Sequence, residues 1–284
     1  MSGSNGNTKE AFLNRLNKAK ELYQKEEWEP AAILYHQLID ESPGNDYSPF
    51  ELWVELAWVY DHLGRYESTI ICLKQVIEKN PQYHGISDVY RLTAQSHRKL
   101  GRSKMAIDNL LAALDHLESD SEKSFEIQYE IAQVHFERGE YSPARDYLAA
   151  ILDHFEYGDN ETLLANFYYT FGFSEFYLQN FVEAERLFED MWRLAPTDQL
   201  KTLALYGKSF VYFNDDRHEA LIEIVEQIFK LDPEFNDKET MAYFLCVSYK
   251  AINDRVKFDM FFQQLKKNYP EGKYAEHYDG LEQW

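Results

Sequence analysis

The side chains able to do chemistry in this chain are plentiful, but they are scattered. Nine histidines, two cysteines and 49 acidic residues could serve proton transfer, metal binding or nucleophilic attack. No spacing assembles them. The sequence has no GxxxxGKS/T to cradle phosphate, no GxGxxG for a dinucleotide, no HExxH or CxxC for a metal and no GxSxG for an acyl nucleophile. Asp215-Asp216-Arg217-His218 sits at a turn signal and reads as a solvated loop. Residues 232–237, DPEFND, have the acid density of a calcium loop without its glycine or its ligand spacing. Asn160-Glu161-Thr162 matches a glycosylation acceptor, which has meaning only in a secreted chain. Cys72 and Cys246 fall in helical apolar patterns and read as small buried hydrophobes. Arg91 and Arg98 fall on one predicted helix and could make a local anion site. The expectation is therefore no catalytic residue, no metal and no cofactor.

The elements that would carry these residues are helical. Leu52, Leu56, Val59 and Leu63 recur at steps of four, three and four, with Trp53, Ala57 and Tyr60 alongside, the period of an amphipathic helix. Gly64 interrupts, suited to the left-handed conformation that ends helices. Thr69, Ile70, Leu73, Val76 and Ile77 restart the period, and Asn80-Pro81 stops it. The unit recurs. Pro43 and Pro81 are 38 apart, while Pro196, Pro233 and Pro270 follow one another at 37. Pro30 and Pro143 fit helix first turns, where a proline forfeits no hydrogen bond. A fixed period of this size marks a repeat array.

Laid on that frame the chain resembles the tetratricopeptide repeat family, whose pattern runs Trp-x2-Leu-Gly-x2-Tyr, Ala-x3-Phe, Pro. The second copy reads Trp53, Leu56, Ala57, Tyr60, Thr69, Leu73, Pro81, and the fifth Tyr168, Phe171, Gly172, Ala184, Phe188, Pro196. The third shows Tyr90, Ala94, Gly101, Ala106, Leu110, and the fourth Ile131, Ala132, Gly139, Ala144, Leu148. The first keeps Ala19, Leu22, Trp28, Ala31, Tyr35, and the seventh Leu245, Cys246, Tyr249, Phe258, Phe262. The sixth is the least regular: Gly207, Phe210, Ala220 and Ile224, read with an extra residue in its turn. Gly64, Gly101 and Gly139 suit a positive φ at the turns, and Asn180, Asn214 and Asn253 are expected there in the later repeats.

The resemblance implies an all-α fold, a right-handed α-solenoid of about seven helix-turn-helix repeats. A C-terminal capping helix would cover the open end with Tyr274, Tyr278 and Leu281. It also implies a concave groove lined by the first helix of each repeat. Carried over residue by residue, the groove positions are Trp58 and Asp61 in repeat two and Asp88, Arg91, Gln95 and Arg98 in repeat three. Repeat four supplies Tyr129, Gln133 and Phe136; repeat five supplies Asn166, Tyr169, Phe173 and Phe176; repeat seven supplies Tyr243 and Lys250. Rings beside amides and guanidinium groups suit a bound peptide. The Lys, Asn and Arg set with which some relatives clamp a C-terminal carboxylate is not matched: Leu16, Lys20, Glu55, Asp88 and Leu92 stand at those places.

Composition bounds the partners. With 29 basic against 49 acidic residues the formal charge is −20, a field that repels nucleic acid and anionic lipid and favours a basic or neutral protein or peptide. Nothing approaches the ~18 consecutive apolar residues of a membrane span. The polar start has no signal-peptide core, which with the two buried-type cysteines points to the cytoplasm, and to the cell envelope only if a leader was removed. Residues 1–8 read as a disordered tail and 9–284 as one solenoid domain. The expected function is a non-enzymatic scaffold that holds a peptide or protein segment. Two alternatives stand beside it. One is an envelope-assembly protein of the bacterial type, suggested by the run Asn268-Tyr269-Pro270-Glu271-Gly272-Lys273-Tyr274-Ala275. The other is a regulatory subunit of an enzyme complex. Oligomeric state is left open.

Overall fold

The structure, a computed structural model, describes residues 4–42, 48–119, 121–156 and 160–283. Among them are fifteen α-helices, one 3₁₀ turn and no strand. The helices pair as α1 (Ser4–Gln24) with α2 (Trp28–Glu41), α3 (Pro49–His62) with α4 (Tyr66–Lys79), and α5 (Ile86–Lys99) with α6 (Ser103–Leu114). The series continues with α7 (Glu122–Glu137), α8 (Tyr141–Glu156), α9 (Glu161–Tyr177), α10 (Phe181–Leu194), α11 (Asp198–Asn214), α12 (His218–Leu231), α13 (Lys238–Ala251) and α14 (Arg255–Asn268). A 3₁₀ turn (Ala275–His277) and α15 (Tyr278–Glu282) close it. The chain is an all-α helical-repeat fold. Helix α1 begins at Ser4, inside the stretch expected as a tail; residues 1–3, Pro43 and most of the YGDN turn lie outside the described residues.

One residue in each hairpin turn has a positive φ: Glu26, Gly64, Gly101, Gly139, Gln179, Asp216 and Asn253. Their separations are 38, 37, 38, 40, 37 and 37 residues. Around the turns at Glu26, Gly64, Gly101, Gln179, Asp216 and Asn253 the helix end closes in the same way. Arg65 N–H donates to the Tyr60 carbonyl (2.8 Å) and Gly64 N–H to that of Asp61 (2.9 Å), the paired bonds that satisfy orphan carbonyls behind a left-handed residue. Glu27–Leu22, Arg102–His97, Asn180–Glu175, Arg217–Tyr212 and Asp254–Tyr249 repeat the first of these bonds.

The expectation for Asn180 and Asn214 is corrected by these angles. Gln179 and Asp216 take the positive φ, while Asn180 stands just before α10 with its side chain donating to Glu175, and Asn214 ends α11. The reason is packing. Seven residues before each left-handed turn lies a small buried residue: Ala19, Ala57, Ala94, Ala132, Gly172, Ser209 and Cys246. Each sits where the two helices of a hairpin cross, so the turn falls at a set distance from the crossing whatever residue stands there. At one crossing the Thr69 hydroxyl reaches the Ala57 carbonyl at 3.4 Å. The same frame corrects repeat six. Its in-register residues are Ser209, Leu221 and Val225, and its turn has no extra residue.

The chain divides into two compact units, Met1–Arg138 and Gly139–Trp284. In the first, Tyr35, Leu38, Leu52, Leu56, Leu73 and Val76 are at most 1 % exposed and form the centre of one apolar cluster. In the second, Leu221, Val225, Ile228, Met241, Cys246 and Leu265 do the same. The end of the second unit is covered as expected. Tyr278 and Leu281 are buried in that cluster, the Tyr278 hydroxyl donates to the Tyr269 carbonyl (2.8 Å), and Tyr274 stacks on Tyr243 at 4.1 Å.

Candidate functional site

In the first unit the first helices α1, α3, α5 and α7 carry cavities that share walls. One of about 660 Å³ is lined by Trp58, Tyr83, His84, Asp88, Arg91, Gln95 and Glu130, with Val54 and Leu92 behind them. A second, of about 590 Å³, continues past Gln95 to Arg98, Gln133 and Glu137. A third, of about 300 Å³, lies on the other side of Trp58 against Tyr23, Tyr35 and Glu55. Trp58 is 39 % exposed, an unusual exposure for an indole, and it stands between the first and third cavities. Trp58, Gln95 and Gln133 each lie six residues before their repeat's left-handed turn. The repeat itself brings them into line.

Ion pairs tie α1 to α3 and α5 to α7. Arg91 donates to Glu126 (2.7 Å) and to Glu130 (2.8 Å), and Arg98 is bonded through both ends of its fork to Glu137 and reaches Gln133 (3.4 Å). Lys123 pairs with Asp88 at 3.0 Å, and Lys20 with Glu55 at 3.2 Å. The partners are separated by 35 or 39 residues, one repeat shorter or longer by half a turn. Burial opposes the charge on Arg91, but Glu130 and Glu126 outweigh it and raise its pKa; Glu137 does the same for Arg98. The two guanidinium groups are thus held by carboxylates of α7, so an external anion would have to displace a glutamate. Asp61 behaves differently. Burial pushes its carboxyl above the usual range, His62 and Lys99 pull it back, and its buried Oδ1 has no hydrogen-bond partner.

The remaining expected groove residues divide by exposure. Asn166 is exposed, while Phe136, Tyr169 and Phe176 are half-buried. Tyr129 is 5 % exposed and Phe173 only 4 %, so neither offers a free face. Phe173 instead packs edge-on to Phe188 (5.0 Å) and Phe210 (5.8 Å), and Phe176 meets Phe210 at 5.9 Å. Lys250 is turned to the end of the chain, its Nζ donating to the carbonyls of Gly280 (3.0 Å), Leu281 (3.2 Å) and Gln283 (2.5 Å). Tyr243 lies under Tyr274. In the second unit these rings form a mesh between successive first helices, continued by Phe210 on Phe244 (5.2 Å) and by the Tyr206 hydroxyl on Asp237 (2.7 Å).

The sequence reading places Phe210 in repeat six only as a repeat position and does not name Tyr206 or Phe213. The signal was there: Tyr169, Tyr206 and Tyr243 recur at 37. It also passed over Glu130 and Glu137, set 39 residues after Arg91 and Arg98. Among the described residues no group of three or more His, Cys, Asp or Glu side chains is placed to hold a metal, and no helix is long and apolar enough to cross a membrane. Burial lifts both cysteine thiols to about 12, far from a reactive thiolate.

Comparison with known proteins bears on the fold. Residues 50–83, covering α3, α4 and the link beyond, match the tetratricopeptide repeat family model. The chain is similar to the C-terminal part of a TPR repeat-containing protein from Cytophaga hutchinsonii, with a TM-score of 0.70 and 15 % identity over 92 % of this chain and 98 % of that one. It is similar to the apo form of RapI, with a TM-score of 0.69 and 12 % identity over 96 % and 81 %. A tetratricopeptide repeat protein from Parabacteroides merdae gives a TM-score of 0.63 and 15 % identity over 96 % and 97 %. No curated protein sequence matches the chain. At such identities the likeness is one of fold.

Proposed function

We propose that this chain, whose residues 50–83 match the tetratricopeptide repeat family model and whose fold is that of tetratricopeptide repeat structures, is a non-catalytic interaction scaffold whose first unit holds an extended or helical segment of a partner protein. One observation carries the reading. Trp58 stands 39 % exposed between two cavities, on a helix row in which α1 is ion-paired to α3 and α5 to α7. A rigid ring with apolar walls on both sides supplies contact area at low entropy cost, and Gln95 in the same cavity and Gln133 in the next can bond to a peptide main chain. The aromatic mesh of the second unit packs repeat against repeat and lends that unit its stiffness.

The test is capture from native lysate with wild-type protein and with the variants Trp58→Ala and Gln95→Trp as baits, each first shown to keep its helical circular dichroism. The expected outcome is a set of proteins retained by wild type and lost from both variants. Identical sets on all three baits would remove the groove reading.

A further inference from the structure

The smallest of the three cavities has the most definite chemistry. It is lined by Lys20, Tyr23, Gln24, Tyr35, Glu55 and Trp58. Three of those six are aromatic. Glu55 accepts from the Tyr35 hydroxyl and pairs with Lys20, yet its side chain is still 30 % exposed and a carboxylate has about four acceptor sites. One turn beyond Trp58 on α3 lies Asp61, with its unpartnered buried oxygen. Asp61 and Glu55 both act on the Tyr23 hydroxyl, raising its pKa after burial has done so. Glu55 therefore stands in the wall of one ring-lined opening, and Asp61, outside that lining, stands close enough to act on the same Tyr23 hydroxyl.

What the opening lacks is a matching cation. Lys20 answers Glu55, whereas Asp61 has no ion pair among the described residues, only the more distant influence of His62 and Lys99. Further along the groove Arg91 faces two carboxylates rather than one. Residues 1–138 hold 22 acidic against 15 basic side chains, a net charge of −7. An anionic ligand would meet arginines that are already bonded and would leave the carboxylates facing one another. A cationic one meets indole, phenol and an acceptor without a donor.

Resting on the groove reading above, we propose that the cavity between α1 and α3 receives an arginine or lysine side chain of a basic partner segment. The cation lies over the Trp58 indole and within reach of the Asp61 and Glu55 carboxylates. The segment's main chain then runs into the larger cavity beside Gln95. A cation over an aromatic face is favourable and gains strength as the site is desolvated. The Asp61 carboxyl, raised by burial, returns toward its ordinary range when that charge arrives.

The experiment is selection of a random ten-residue peptide display library on the full-length protein, followed by fluorescence titration of the selected peptides. The expected result is enrichment of arginine or lysine at one aligned position. Trp58→Ala and Asp61→Asn should each weaken the selected peptides by roughly tenfold. Replacing the aligned cation by glutamine should cost as much in wild type and little in Asp61→Asn. That non-additivity separates a specific contact from general attraction to an acidic protein. Selected peptides that depend on Trp58 but carry no aligned cation would overturn this inference and leave the groove reading standing. Peptides indifferent to Trp58, or no enrichment, would sink both.

Discussion

Gly207 tests the packing logic of the repeats, because two effects there have opposite signs. It lies inside α11, where alanine should be the better helix former by about 1 kcal/mol. A Cβ added at Gly207 would, however, stand 2.5 Å from Cδ1 and Cζ of Phe188, and one added at Gly172 would stand 2.7–2.9 Å from the same ring. Carbon pairs settle at roughly 3.5–4.0 Å. The alanine methyl therefore asks for a shift of about an ångström, and the ring has nowhere to go. Phe188 is fully buried, set against backbone of both α9 and α11 and edge-on to Phe173. Overpacking of this kind costs about 1–3 kcal/mol, and the overlap puts this case in the upper half of that range. Net of propensity, Gly207→Ala should destabilise by roughly 1–2 kcal/mol.

The assay is urea unfolding followed by circular dichroism on four proteins: wild type, Gly207→Ala, Phe188→Leu and the double variant. Phe188→Leu alone opens space and also destabilises, by about 1 kcal/mol. If the methyl and the ring compete for one volume, the double variant recovers at least about 1 kcal/mol relative to the sum of the singles. A Gly207→Ala protein as stable as wild type, or more so, with additive singles, would show that the ring is not confined. The account of why the crossings need small residues would then fail.

Two further predictions concern other joints. Asp237 caps α13 through Thr240 N–H (3.3 Å), accepts from Tyr206 of the preceding repeat (2.7 Å) and pairs with Lys273 before the terminal cap (2.7 Å). Asp237→Ala removes a cap and orphans a half-buried hydroxyl, so urea melts should show a loss of roughly 2–4 kcal/mol; a loss under about 0.5 kcal/mol would refute it. Burial alone would raise the Asp237 pKa, but Lys273, Tyr206 and Thr240 outweigh it and hold it below the ordinary value. Its contribution is therefore fully present above the unfolded-state pKa of about 4 and lost as pH falls through the folded value, so stability measured from pH 6 to pH 2 should fall less steeply in the variant. Gln179 and Asp216 hold positive φ without being glycine. Gln179→Gly should stabilise by about 0.5–1 kcal/mol in the same melts, and a destabilised variant would contradict the left-handed assignment.

How much of this was legible beforehand depends on whether a feature lives inside one repeat or between two. The apolar steps in α3 and α4, the left-handed glycines 64, 101 and 139, and the terminal cap of Tyr278 and Leu281 are all set by residues close in sequence, and each stands where the pattern placed it. Repeat six was misregistered because Gly207 looks like the small residue of the crossing, whereas Ser209 fills that place and Gly207 makes room for Phe188 of the preceding repeat. In that register Phe210 reads as a position of the repeat pattern and not as one of the row Tyr206, Phe210, Phe213. Without Phe210 as a neighbour, Phe173 looked like a groove ring rather than a buried one.

The charged groove was harder to read for the same reason. Arg91 and Arg98 share a face of α5, and taken alone that face looks like an anion site. Their partners arrive only when α7 is laid beside it, 35 to 39 residues later. In a stacked array each helix is completed by its neighbour, so the charge a ligand meets is what remains after the repeats have paired among themselves. For the first unit that remainder is negative, and on α3 it includes the buried Glu51 Oε2 and Asp61 Oδ1, both without a hydrogen-bond partner. The formal charge of −20 pointed to a basic partner in general. The pairing pattern is why the proposal above turns on Asp61: Glu55, Asp88, Glu126, Glu130 and Glu137 each have a cation within 3.2 Å or a share in one.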